Sequence, residues 1–205
     1  MIYETAVVLR AEIDEGGMNS IKEMITKTIA EFDGEILIHD DWGMKTFAQP
    51  FTNGAKNGRY VYYMYRANTE ANKELDRKCR INEGIHRSLI VKLGSDVEKD
   101  KLAKAYRRPG TVQTEDVPKP DYNEEGMSGD RKFSPKKRNC WFSANKTGPD
   151  WKDPSTYAWI VNEFGKISAA RVSGLTPKFQ RAATSAIKRG RCLGLISYVS
   201  NHYVR

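Results

Sequence analysis

The chain has 205 residues and 23.3 kDa, with 34 Lys and Arg against 26 Asp and Glu, a net charge of +8 and a pI near 9.3. That length holds one or two small domains with real cores. No run approaches 18 apolar residues and the start lacks a charged-then-apolar leader, so the expectation is a soluble cytoplasmic protein, neither secreted nor membrane-spanning.

Residues 2–9 are apolar and β-branched and predict a first strand. Ser20 with Glu23 reads as a capping box, Ile21, Ile25, Ile29 and Phe32 continue at helical spacing, and Gly34 sits where a helix stops. Residues 35–51 read as extended but broken by "DDWG", and 57–66, "NGRYVYYMYR", as an aromatic strand after a Gly/Asn turn. Thr69 opens a polar helix through Ala71, Leu75 and Cys79, after which 85–93 alternates as a last strand. The order βαββαβ predicts an α+β, ferredoxin-like domain over 1–94.

Residues 95–130 are rich in Pro, Gly and charge without apolar period, and read as a largely disordered linker with no more than a helical turn near 101–108. Residues 131–205 read as a small, mostly helical basic domain. Asp153 as cap and Pro154 in the first turn predict a helix with Tyr157, Ile160, Val161 and Phe164 on one face and Gly165 at its end. A second helix follows from Thr176 as cap and Pro177 at the first helical position. Two helices bury little, so this half is expected to need RNA or a partner.

Charge separates the two halves. Residues 1–94 carry 13 cations and 14 acids, whereas 131–205 carry 15 and 3. The asymmetry is sharpest in "TPKFQRAATSAIKRGRCLGL" from Thr176, which has no acid. At helical pitch Phe179, Ala182, Ala183, Ala186 and Ile187 share one side, with Lys178, Arg181, Lys188 and Arg189 roughly opposite. An ordinary solvated helix mixes signs so that Glu and Lys pair four residues apart. A face of uncompensated cations repels itself and suits a polyanion, whose counterions it releases.

"DDWGMKTFAQPF", "GRYVYYMYRA" and "RINEGIHRSLIVK", in that order, resemble bacterial small-subunit ribosomal protein six over roughly residues 1–93. "RNCWFSAN" and "YAWIVNEFGKISAARVSGLTPKFQRAATSAIKRGRCLGLISY" resemble small-subunit ribosomal protein eighteen over about 138–198. In that pair, two chains bind each other and dock on the central domain, or platform, of the small-subunit ribosomal RNA. The resemblance implies a fused structural constituent of the small subunit that supports its assembly. Its implied partners are that RNA, neighbouring small-subunit proteins and its own other half, with the chain ribosome-associated. Residues 94–130 then act as a covalent tether, giving the halves roughly millimolar effective concentration.

Carried over from that motif, the expected RNA contacts are Lys166, Arg171, Lys178, Gln180, Arg181, Lys188, Arg189 and Arg191. Arginines suit bidentate phosphate and guanine contact and lysines point-charge contact, on a shaped RNA junction. Lys136, Lys137 and Arg138, with Arg131 and Lys132, are expected to form an arm against phosphates, and Arg80 and Arg87 match family cations beside the last strand. Ala169, Ala170, Ser185 and Gly190 depart from the family's usual residues. Gly190 costs about 1 kcal/mol of helix propensity against alanine.

The βαββαβ order and the aromatic "NGRYVYYMY" also fit a non-ribosomal RNA-binding protein with an RNA-recognition motif and a basic arm. Tyr60, Tyr62 and Tyr65 set against Val61, Tyr63 and Met64 equally fit a sheet with one packed face. An enzyme is not expected. Asp40 and Asp41 are adjacent and point to opposite faces of a strand, and His39, His86 and His202 lack a partner at a telling spacing. Cys79, Cys140 and Cys192 have no C-x-x-C pair, and Cys140 and Cys192 read as packed small hydrophobes, so neither metal nor cofactor is expected. Trp42, in what reads as a bulged strand at a sheet margin, and Trp159 are the candidate anchors between the halves.

Overall fold

A computed structural model describes residues 1–51, 54–95, 99–110 and 140–199. The chain divides into two compact units, one of Met1–Thr111 with Cys192–Leu195 and one of Val112–Arg191 with Ile196–Arg205.

The first unit is a four-stranded antiparallel sheet in the order β2-β3-β1-β4. Its strands are β1 (Ile2–Arg10), β2 (Glu35–Thr46), β3 (Asn57–Arg66) and β4 (Ile85–Gly94), interleaved with the helices α1 (Glu15–Glu31) and α2 (Thr69–Ile81). This is the ferredoxin-like βαββαβ arrangement. β1 is central and buried at all but its last residue, as its unbroken apolar run requires. Ile21, Ile25 and Ile29 of α1 and Ala71, Leu75 and Cys79 of α2 pack with Val7, Val61, Tyr63 and Tyr65 into one core.

α1 starts earlier than the Ser20–Glu23 pattern predicts. Asp14 is the cap, its carboxylate accepting from the Gly17 amide at 2.9 Å. The approach needs glycine, since a Cβ at Gly17 would meet Ile13 and Asp14 at 2.8 and 3.0 Å. Asp14 already satisfies a first-turn amide and the helix starts there, so Ser20 and Glu23, an equally good capping pattern by residue type, fall inside it.

On β3, Val61, Tyr63 and Tyr65 face the helices, and Tyr60, Tyr62 and Met64 lie on the opposite side by strand alternation. Tyr65 therefore shares the face of Val61 and Tyr63. Both faces are filled, and none of these tyrosines is more than 2% exposed. On the side away from the helices, Tyr62 donates to the buried Glu4 carboxylate at 2.9 Å, and Tyr60 to the Leu193 carbonyl at 2.6 Å. A sheet whose aromatics are covered presents no stacking surface for bases, which removes the geometric basis of the RNA-recognition-motif reading.

β2 is an edge strand with a register shift between Asp41 and Gly43, the bulge that "DDWG" predicts. Gly43 takes φ +77°, and its amide donates to the Asp41 carboxylate at 2.8 Å. Beyond the sheet, α3 (Lys99–Ala105) forms within what the sequence suggested was linker, and Tyr106 after it stacks on Tyr62 at 4.8 Å.

The second unit holds α4 (Trp141–Ala144), α5 (Ala170–Ser173) and all but the last residue of α6 (Pro177–Cys192). Its buried apolar residues include Phe142, Trp151, Tyr157, Ile160, Leu175, Ala183, Ala186 and Ile187. The helix expected from Pro154 to Gly165 is not formed. Two short 3-10 turns, Pro154–Thr156 and Ala158–Ile160, replace it, and Val161 then bridges back to Ile167. Local side-chain bonds explain the outcome. Asp153 accepts from the Ser155 amide and hydroxyl, and the Thr156 hydroxyl donates to the Asp153 carbonyl at 2.8 Å, offering the backbone an alternative to helix. Gly165, at φ +77°, serves a reverse turn, and Phe164 is 63% exposed, off any packed face. No helix among the described residues is long and apolar enough to cross a membrane.

Candidate nucleic-acid interface

α6 carries the densest chemistry. Lys178, Arg181, Ser185, Lys188 and Cys192 recur at steps of three and four, and all are exposed. Ala183, Ala186, Ile187 and Gly190 form the buried side. Ala182 is exposed, outside the packed face proposed for it. Lys178, Arg181 and Lys188 make no ion pair and no side-chain hydrogen bond with any described residue. Of the three acids of this half, Asp150 pairs with Lys152 at 3.1 Å, Asp153 is buried against Ser155, and the exposed Glu163 pairs with none of the stripe's cations. The stripe is therefore a cationic face with no internal neutralisation.

The remaining motif residues separate into two kinds. Lys166 and Arg171 are exposed, and the half-buried Arg189 has no carboxylate partner among the described residues. Gln180 and Arg191 are engaged within the unit. Gln180 donates to the Ser168 carbonyl at 2.9 Å and accepts from the Ser173 hydroxyl at 3.0 Å, so its amide ties the segment bearing Arg171 to α6. Arg191 donates to the carbonyls of Gly165 and Ser197, and its guanidinium stacks 5.3 Å from the Tyr198 ring centroid.

In the first unit Arg80 pairs with Asp76 at 2.8 Å yet stays exposed, and Arg87 stacks over Phe51 at 5.4 Å. Lys136, Lys137 and Arg138, with Arg131, Lys132 and His202, lie outside the described residues. Both candidate anchors have contacts within their own units. Trp42 is buried, stacks on Tyr62 at 5.5 Å and donates from Nε1 to the Tyr106 hydroxyl at 3.0 Å. Trp159 is half-buried, 5.9 Å from Phe142, and donates to the Thr156 carbonyl.

The groups weighed for catalysis are spread and engaged structurally. Asp41 binds Arg59 at 2.6 Å, and Asp40 accepts from Tyr106 at 2.6 Å. His39 packs on Tyr63 at 4.9 Å; burial first, then Lys22, pushes it below the usual histidine range. Burial likewise pushes the Cys79 thiol up to about 12. Cys140 is buried, while Cys192 is exposed at the foot of the cationic stripe, contrary to the packed role expected of it. Sequence reasoning missed the exposed aromatics Phe164 and Tyr198, because Phe164 fits a helical face that does not form.

An uncompensated cationic helix face on an aromatic-cored unit, in one chain with a sheet filled on both sides, points to a polyanion-binding structural protein. Comparison with known proteins gives the families. Residues 2–92 match the family model for ribosomal protein S6, and residues 145–196 that for ribosomal protein S18. The small ribosomal subunit protein bS18 of Solidesulfovibrio magneticus is 42% identical over 77 residues, covering 37% of this chain and 91% of its own length. The small ribosomal subunit protein bS6 of Pelobacter propionicus is 29% identical over 115 residues, covering 56% of this chain and 86% of its own. The crystal structure of 30S ribosomal protein S6 from Thermotoga maritima is similar at a TM-score of 0.44 and 23% identity, covering 50% of this chain and 96% of that one. The C-terminal part belongs to the ribosomal protein S18 family, and the N-terminal part matches ribosomal protein S6, consistent with an S6–S18 fusion. Both families are structural and non-enzymatic.

Proposed function

We propose that this chain is a structural constituent of the small ribosomal subunit, acting as a single-chain equivalent of two proteins on the central domain of the small-subunit RNA. The observation that carries this is the Lys178, Arg181 and Lys188 stripe, exposed and unpaired among the described residues, within the part that matches ribosomal protein S18. Lys166, Arg171 and Arg189 extend the cationic contact, and Gln180 and Arg191 hold the surface in shape. Lys136, Lys137 and Arg138 act as an arm on phosphates, and Arg80 and Arg87 add contacts from the first unit. The two halves pair intramolecularly, with Trp42 and Trp159 as anchors. The connection keeps them at roughly millimolar effective concentration, so that pairing precedes RNA binding. The chain works in the cytoplasm, on the ribosome, beside neighbouring small-subunit proteins.

The test is hydroxyl-radical footprinting of the full chain on small-subunit ribosomal RNA carrying its earlier-binding proteins. Protection confined to central-domain junctions supports the proposal. Salt-sensitive protection spread over the whole RNA would reduce the chain to a nonspecific polycation.

A further inference from the structure

The chain from Asn162 to Lys166 reverses direction in a tightly bonded turn. The Asn162 amide donates to the Lys166 carbonyl at 2.8 Å, and the Gly165 amide to the Asn162 carbonyl at 2.9 Å. The Asn162 side-chain oxygen accepts from the amides of Phe164 and Lys166 at 3.1 and 2.7 Å. Val161 and Ile167 bridge beneath it. Gly165 at φ +77° closes the turn with no room for a side chain, since a Cβ there would collide with the Tyr198 carbonyl. Arg191, donating to the Gly165 carbonyl, braces it from α6.

At the tip of this fixed turn Phe164 is 63% exposed and makes no ring contact with any described residue. The backbone of Tyr198, whose own ring is 57% exposed, lies directly against Gly165. An aromatic held out to solvent by a rigid turn costs hydration and contributes nothing to the core of its own unit. The backbone entropy of the turn is already spent, which lowers the cost of binding through the ring at its tip.

We propose that Phe164 is a stacking platform for an unpaired base of the bound RNA, with Lys166 on an adjoining phosphate. Charge favours RNA over a protein partner. The turn that carries Phe164 also carries the exposed Lys166, and the Arg191 guanidinium bonds its Gly165 carbonyl, in a half with 15 cations and 3 acids. Glu163, the turn's one acid, does not reverse that sign. Aromatic rings set among cations are the elements by which proteins hold single-stranded segments, and every base offers a π face. This inference rests on the RNA-binding reading above and adds the class of ligand at one position: an unstacked nucleotide in a loop or junction.

The experiment compares the full chain with its Phe164→Ala and Phe164→Trp variants, binding a fluorescent oligouridylate of about ten nucleotides and a fully paired RNA duplex of the same length across a salt series. Phe164→Ala is predicted to weaken oligouridylate binding about tenfold or more, the loss expected for one base stack. Phe164→Trp is predicted to bind like the wild type, and the salt slope to stay constant because no phosphate contact is removed. Duplex binding is predicted to stay within twofold in all three. Equal binding of oligouridylate by Phe164→Ala and wild type overturns the proposal, as does an equal loss on both RNAs. Normal RNA binding with loss of the variant from reconstituted subunits would make the tip a protein contact, and so also overturns it. Wild type binding neither RNA would overturn the underlying RNA-binding reading as well, and is visible without any variant.

Discussion

The hydroxyl of Tyr157 fills the space that a Cβ on Gly190 would occupy. Tyr157 is fully buried and donates to the Trp151 carbonyl at 3.1 Å, so it has little freedom to withdraw. The glycine that looks like a defect in α6 is the groove that admits this ring. Gly190→Ala gains about 1 kcal/mol of helix propensity but inserts a methyl into a filled site, at about 1 to 3 kcal/mol. The expected net result is destabilisation of the second unit. Tyr157→Phe in the same chain removes the clashing oxygen and is expected to recover part of the loss, a coupling that urea unfolding of the four chains of the mutant cycle would measure.

Gln180 is predicted to act on RNA binding through position. Gln180→Leu removes its bonds to Ser168 and Ser173, worth about 1 kcal/mol each, and frees the segment bearing Arg171. The affinity of the full chain for small-subunit RNA should fall with its salt slope nearly unchanged. A slope lower by about one would instead mark Gln180's surroundings as a phosphate contact.

Much of this architecture is legible in the sequence. The unbroken apolar run of β1, the isoleucines of α1 and the Ala71, Leu75 and Cys79 face of α2 carry their periods openly, and Asp41-Trp42-Gly43 signals a bulge by composition. The second half is harder to read because its short elements are decided by side-chain hydrogen bonds. Asp153 and Thr156 divert a helical pattern into 3-10 turns, which moves Phe164 from an expected core position to solvent. The cationic stripe of α6 follows directly from spacing, whereas the internal engagement of Gln180 and Arg191 depends on carbonyls distant in the chain or across a turn, which no local pattern announces.

Tyr106 fixes the segment after the sheet. Its ring stacks on Tyr62, its hydroxyl donates to Asp40, and Trp42 donates to it. Tyr106→Ala is expected to raise amide exchange across Lys99–Ala105 and to expose Trp42, with Tyr106→Phe intermediate because it keeps the stack and loses the two hydrogen bonds. Exchange unchanged in both variants would show that Lys99 on Glu35 suffices to hold the segment.

Acid sensitivity of the first unit should involve Asp41. Burial opposes its ionisation, but the Arg59 and Gly43 hydrogen bonds, with the charges of Arg59 and Lys22, outweigh burial and hold its carboxyl below the usual range. A depressed folded-state pKa gives stability that is present above the unfolded value, near pH 4, and is lost as pH falls through the folded one. Asp41→Asn should be less stable than wild type at neutral pH, with the difference shrinking at the acid end. A difference constant with pH would mean that geometry, not charge, is what Asp41 supplies.

RNA binding by this chain requires that the α6 stripe meet phosphates. The most direct measurement is the salt dependence of binding to small-subunit ribosomal RNA for the full chain and its Arg181→Ala/Lys188→Ala variant. Two lost phosphate contacts predict a slope shallower by about two, with affinity reduced alike on every RNA sequence tested. An unchanged slope would place both cations outside the interface and contradict the assignment of α6 as the RNA-binding face.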